Sequence, residues 1–434
     1  MTASPQPSHR SLLIASAAVL AACSTPATGI ASDGASVNTP TTSGAPPLKP
    51  VATIPTAKGP HGIDVAGDLV FNADPSAGKM EIIDPQFDAS AADAGLRAVL
   101  RTLDFAAIFP GSATATVSAS PSYTKADPAR RVAIAMDGLT KGLRIISPTM
   151  RDQVAFVAME GKPGSRLGWW DNRTAMLQQA SVPNSLFRVR WPLVAGVADF
   201  AAIPSTRSFD LAPVATGSAG GFIAVGKAFV AAPSGPDHAV VLSALKDEDG
   251  DPTGDKWILK EGNEPGPIEM GFVGGKDMLV YGNKTSNTIV VYDPAARAVV
   301  AKSTTLSTPT DSVLTADKAK VFITCKGADR VAVVDLASGQ ILNHIPVGRK
   351  LEGKPAAPVH IYRVPSPDPA SADQIWVMGD GDASVTVIDA ISYKVLHVIE
   401  VGVGHHKAAF TATRAFVSNI TDSTISVIDR TQVK

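Results

Sequence analysis

The chain has 434 residues, 45% of them hydrophobic and 18% charged, enough apolar material for a large core and too much for a disordered chain. Its 39 basic and 40 acidic side chains leave a formal charge of -1. No broad positive field therefore draws it to nucleic acid or anionic lipid, although this says nothing of local patches.

In chain order, the first feature is SLLIASAAVLAAC, residues 11 to 23, a short apolar run behind Arg10 that ends in small residues. It is too short for an ordinary spanning helix and reads as an export leader. Its last four residues, Leu20, Ala21, Ala22 and Cys23, resemble the lipobox of bacterial lipoproteins. That resemblance implies a signal peptide over 1–22, lipidation of Cys23 and a place in the bacterial cell envelope, periplasmic or extracellular. Ser24 after the cysteine implies sorting to an outer membrane where there is one.

Residues 23–48 carry the cysteine and a stretch rich in Ser, Thr, Pro, Gly and Ala, which offers too little apolar burial to offset the entropy of ordering and reads as a tether. The globular body is then 49–434. Cys325 is the one other cysteine, so no internal disulfide is expected.

The body opens on PVATIP, residues 50 to 55, a lone strand. FNAD, ending at Asp74, and EIID, ending at Asp84, follow 10 residues apart, and AIAMD to Asp137 with RIIS to Ser147 repeats the interval. A looser pair, AFVAA and VVLS, ends at Ser243. The later units are cleaner: VYGN with TIVVYD, FITC with VAVVD, VMGD with VTVID, and FVSN with ISVID. Their second words end at Asp293, Asp335, Asp389 and Asp429, spaced by 42, 54 and 40 residues. Alternating β-branched residues argue for strands, the short constant gap for tight turns, and a period near 40 for a repeat architecture.

With a further strand between units, each repeat supplies four strands, the content of one β-propeller blade. The expected fold is an all-β propeller of four-stranded blades, seven in number with eight as the alternative. It is expected to close by pairing the N-terminal strand with a last blade that has only three strands of its own, removing an open sheet edge. The seven landmarks end at 84, 147, 243, 293, 335, 389 and 429, and the gap from 147 to 243 has room for an insertion or a degenerate extra unit. The words and spacing resemble the YVTN-type β-propeller repeat family, strongly over 270 to 430 and weakly between 100 and 250. Some relatives in that family are linked to DNA binding, which the near-neutral charge here does not support.

Blade topology brings the residues just before each inner strand to one channel mouth. At that register stand His61, Glu269, Asp311, His360 and the pair His405 and His406. Imidazoles beside carboxylates point to Zn²⁺ or Cu²⁺, with one of the paired histidines binding and the other orienting or facing outward. Nitrous oxide reductase also holds copper with axial propeller histidines, a resemblance of architecture only. The same histidines equally fit plain hydrogen bonding at strand ends.

A hydrolytic alternative sets Ca²⁺, less favoured, among Glu269, Asn283, Asp380 and Asn419, as in the lactonase-type propellers these residues resemble. The recurrent aspartates Asp84, Asp293, Asp335, Asp389 and Asp429 read as turn residues. Arg166, Trp169, Trp170 and Arg173 mark an irregular stretch suited to contact with an envelope protein. The sequence-based expectation is a binding or accessory module without turnover, with no catalytic residue assigned.

Overall fold

Strands whose both faces are apolar need cover on both sides, and here the cover is another sheet. The second and third strands of most repeats are buried along nearly their whole length, as in Leu69–Asp74 and Thr288–Asp293. Outer strands such as Ala298–Ser303 alternate toward solvent. The computed structural model describes residues 48–105, 121–126, 129, 131–180, 185–210, 222–234, 238–246, 251–304, 307–349 and 354–433. Cys23, the leader and nearly all of the tether lie outside the described residues.

Among those residues stand eight blades, each four strands deep. Their inner strands are Gly62–Ala66, Pro121–Ala126, the split pair Lys162–Pro163 with Gly168–Trp169, Ala224–Val225, Pro265–Val273, Pro309–Leu314, Pro358–Val364 and His405–Phe410. The expected count of seven is thereby overturned, and with it the closure of a seven-bladed ring. The eighth sheet combines His405–Phe410, Arg414–Asn419 and Thr424–Asp429 with Ala52–Pro55, in which Ala52 lies opposite Val427 and Pro55 opposite Thr424. Core clusters straddle neighbouring blades, and one joins Phe416 and Ile425 of the eighth to Val65 and Ile83 of the first.

The additional unit lies between 147 and 243, where the third blade hides its period. Its third strand, Ser185–Arg190, ends in arginine 43 residues after Ser147, and its inner position is shared by two strands of two residues each. Both pieces pair with Thr174–Ala180. A repeat word needs a run long enough to alternate, and two-residue strands carry none.

The recurrent aspartates serve the turns. Asp389 Oδ1 accepts hydrogen bonds from Ile391 N at 3.0 Å and from the Ser392 hydroxyl at 2.9 Å, and Asp335 and Asp429 do the same work in their blades. Asp389→Ala is expected to cost about 1 kcal/mol, read as a small drop in thermal-unfolding midpoint with the axial chemistry unchanged. A loss several times larger would assign Asp389 more than a turn.

Several inner strands open on a bulge. The ladder slips between Pro121 and Tyr123, Pro265 and Ile268, Pro309 and Ser312, Pro358 and His360, and His405 and Ala408. Four of the five begin at proline, which has no N–H to give the ladder. A bulge bends its strand and re-aims the side chains it carries. Those bulges position the site.

Candidate functional site at the axial mouth

Asp311 lies inside the bulge of the sixth blade and is 2% exposed. Its backbone is clamped by Thr324, whose hydroxyl accepts from Asp311 N at 2.9 Å and donates to Asp311 O at 3.1 Å. The carboxylate is shared: one oxygen takes the guanidinium of Arg166, reaching from the third blade, and the other lies 3.0 Å from His360 Nδ1 of the seventh. Burial opposes the charge on Asp311, but Arg166, His360 and Lys407 outweigh it and hold the acid below the ordinary carboxylate range. A carboxylate only accepts, so the Asp311 contact puts the histidine proton on Nδ1 and the lone pair on Nε2, whereas a charged Lys407, 3.2 Å from the same Nδ1, would favour the reverse.

His360 Nε2 is buried and has no hydrogen-bond partner among the described residues, and the same is true of His406 Nε2. The two rings meet edge to face with centroids 4.7 Å apart, and His61 packs on the other side of His406 at 4.2 Å. Burial, then the neighbouring cations, pushes His360 down to about 3, and burial with the adjoining rings lowers His406 as well. Both are neutral imidazoles at physiological pH.

Lys407, in the same bulge as His406, places Nζ 3.2 Å from His360 Nδ1. Burial, with Arg166 nearby, holds its amine well below the usual lysine range. Tyr362, two residues beyond His360, accepts a hydrogen bond from Ala408 N at 3.2 Å. Glu269 of the fifth blade feels Arg166 and Asp311, and burial raises its carboxyl to about 7.

The expected mouth residues therefore divide. His61, His406 and His360 form one contiguous row, Asp311 joins it through His360, and Glu269 joins electrostatically through Arg166. His405 departs from the row. It is 1% exposed, neighbours Asp380 and Asp382 of the seventh blade, and both its ring nitrogens lack hydrogen-bond partners among the described residues. No group of three or more His, Cys, Asp or Glu side chains among the described residues is already arranged to hold a metal ion.

Asn283 and Asn419 turn to their own blades, donating to Thr288 Oγ1 at 2.8 Å and Thr424 Oγ1 at 3.0 Å. Cys325, in the corresponding strand-end slot, is buried in an apolar cluster, with its thiol pushed up to about 12 by burial. Trp169 stacks on Trp191 at 5.7 Å, while Trp170 donates to Lys227 O at 3.2 Å. Sequence reasoning gave no axial role to Arg166, Lys407 or Tyr362.

The fold defines an eight-bladed β-propeller of which the axial mouth is the polar centre. Among solved structures the chain resembles one from a mitotic checkpoint complex, at 9% identity and TM-score 0.50, covering 93% of this chain and 98% of that one. It also resembles Sqt1 of Saccharomyces cerevisiae, at 9% identity and TM-score 0.61, covering 88% and 99%. At such identity the likeness shows the fold alone. No protein-family model matches the chain, and no curated protein matches it by sequence.

Proposed function

We propose that this propeller is a cell-envelope binding module without turnover, carried on lipid at Cys23, which takes a Cu or Zn ion at the axial mouth and presents it to an envelope protein. The observation that carries the reading is the pairing of Asp311 with His360 Nδ1 while His360 Nε2 stays buried and unpartnered. Metal-ligating histidines commonly give their second nitrogen to a carboxylate in this way, which fixes the tautomer and turns the lone pair toward the ion. His406 offers a second neutral nitrogen in contact with the first, and His61 a third ring. Imidazole nitrogen suits Zn²⁺ and Cu²⁺ better than Ca²⁺. Taking up the ion requires the packed rings to turn, because they do not yet form a ready metal site.

The test is metal analysis after loading with Zn²⁺ or Cu²⁺ and dialysis. One equivalent is expected in the native chain and none after combined replacement of His61, His360 and His406 by alanine. Asp311→Asn should keep the ligands yet weaken the ion roughly 10–100-fold. A native chain that emerges without metal removes the ion from the proposal. Lactonase turnover that depends on added Ca²⁺ would remove the non-catalytic half.

A further inference from the structure

The mouth occupies one face of the ring, and the opposite face carries a different chemistry. Antiparallel alternation sends the connections between third and outer strands to that opposite face. In the third blade this connection is a hairpin, Leu193–Val194 paired with Val197–Ala198. Ala195 and Gly196 both take positive φ, 50° and 80°, the geometry of a tight two-residue hairpin turn.

From Pro192 to Val197 the hairpin has no charged or hydrogen-bonding side chain. Leu193, Val194 and Val197 are 44%, 60% and 58% exposed, and Ile203 just beyond is 80% exposed. Its root is rigid: Trp191 is fully buried and packs on Trp169 and on Phe200, the latter at 5.0 Å. Two more connections on the same face end in exposed apolar tips, Met150 in the second blade and Ile391 in the seventh.

Basic residues accompany each tip. Arg151 follows Met150, with the adjacent Asp152 paired to Arg101 at 2.8 Å, and Lys394 follows Ile391 by three residues, with Asp389 accepting from the turn's own Ile391 N. Around the hairpin root, the Arg131 guanidinium lies 4.6 Å over the Phe200 ring and donates to Asn172 O at 2.9 Å, and Arg173 O accepts from Trp191 N. The adjoining acids are turned to backbone: Asp171 accepts from Arg173 N at 2.9 Å and Asp199 from Ala201 N at 3.0 Å.

The chain reaches the body on this same face. Val51 N bonds Val427 O, Ala52 lies opposite Val427, and the strand then runs toward Thr424 at the mouth end. Leu48 packs against the cluster that includes Val433.

We infer that this face docks on an anionic phospholipid surface, with the Leu193–Val197 hairpin entering the acyl boundary and Arg151, Arg173 and Lys394 meeting headgroup phosphates. Apolar tips ringed by long basic side chains are suited to an interface of that kind. The hairpin contact does not rest on the lipid-carried reading.

The experiment uses the full chain with Cys23→Ser and a polarity-sensitive fluorophore on Val194→Cys, compared with the same label on Val403→Cys, an exposed apolar position beside the mouth. Cys325 is buried and should stay unlabelled, which Cys23→Ser alone checks. With phosphatidylethanolamine–phosphatidylglycerol vesicles, the label at 194 is expected to brighten severalfold and to be quenched by brominated acyl chains. The label at 403 should not respond, and Leu193→Ser with Val197→Ser should abolish the response at 194.

No response at 194, or an equal response at both positions, overturns the inference. Intact mass of the chain exported by a bacterium reads lipidation of Cys23 separately. A bare Cys23 with a responding hairpin, or the reverse, therefore tells the two readings apart.

Discussion

Arg166→Ala is expected to lower stability at pH 7 by about 3–5 kcal/mol, the usual consequence of leaving a buried charge without its partner. Asp311 would remain almost wholly buried beside Glu269, with the pull of the guanidinium gone. Its acid would then become harder to ionise, so the deficit should shrink as pH falls and protonation removes the unpaired charge. Arg166→Lys should restore only part of the loss, because a point charge cannot reproduce the planar guanidinium. Urea midpoints at pH 7 and pH 5 decide the matter. A deficit of equal size at both would assign the loss to packing, since Arg166 also lies 4.6 Å over the Phe222 ring.

The second large effect is acid sensitivity. His360, His405 and His406 are all depressed on folding, chiefly by burial. A base with a depressed folded pKa stabilises the protein above its unfolded value of 6.5, and that contribution is lost as pH falls toward the folded value. Glu269 works the other way: raised from 4.5 to about 7, it favours the folded state at low pH and loses that contribution as pH rises through the same window.

Four histidines, His344 included, oppose three carboxyls that burial raises, Glu269, Glu81 and Asp74, so the net trend is destabilisation below pH 6.5, at ~1.4 kcal/mol per pH unit for each histidine left uncompensated. Thermal midpoints from pH 7.5 to 4.5 should fall, and the combined alanine variant of His360 and His406 should flatten the slope. An unchanged slope in that variant would move the titration elsewhere.

How much of this was readable without coordinates depended on local repetition. The words ending at Asp84, Asp293, Asp335, Asp389 and Asp429 stood out because buried two-faced strands need β-branched runs and their turns need a carboxylate to accept backbone N–H groups. The third blade showed only as the long gap between 147 and 243, because its inner position is split and its third strand ends in Arg190, so seven blades were favoured and eight stood as the alternative.

At the mouth, the register of the inner strands was enough to find His61, Glu269, Asp311, His360 and His406. It did not say which of the adjacent His405 and His406, which alternation sends to opposite sides of the strand, would join the row. Tyr362 was recoverable in principle, two residues beyond His360 on the same face of its strand. Arg166 was noticed for the wrong reason. A contact across the ring to a residue 145 positions later leaves no trace in a single sequence.

The bulges have a consequence for how such a ring can change. Residues held outside the ladder's pairing can be exchanged without shifting the strands behind them. Asp311, His406 and Lys407 are the mouth residues that stand outside the pairing. The strand frame can therefore accept other side chains there, but the charge that Asp311 shares with Arg166, His360 and Lys407 means that a change in one blade has to be matched in the blades it faces.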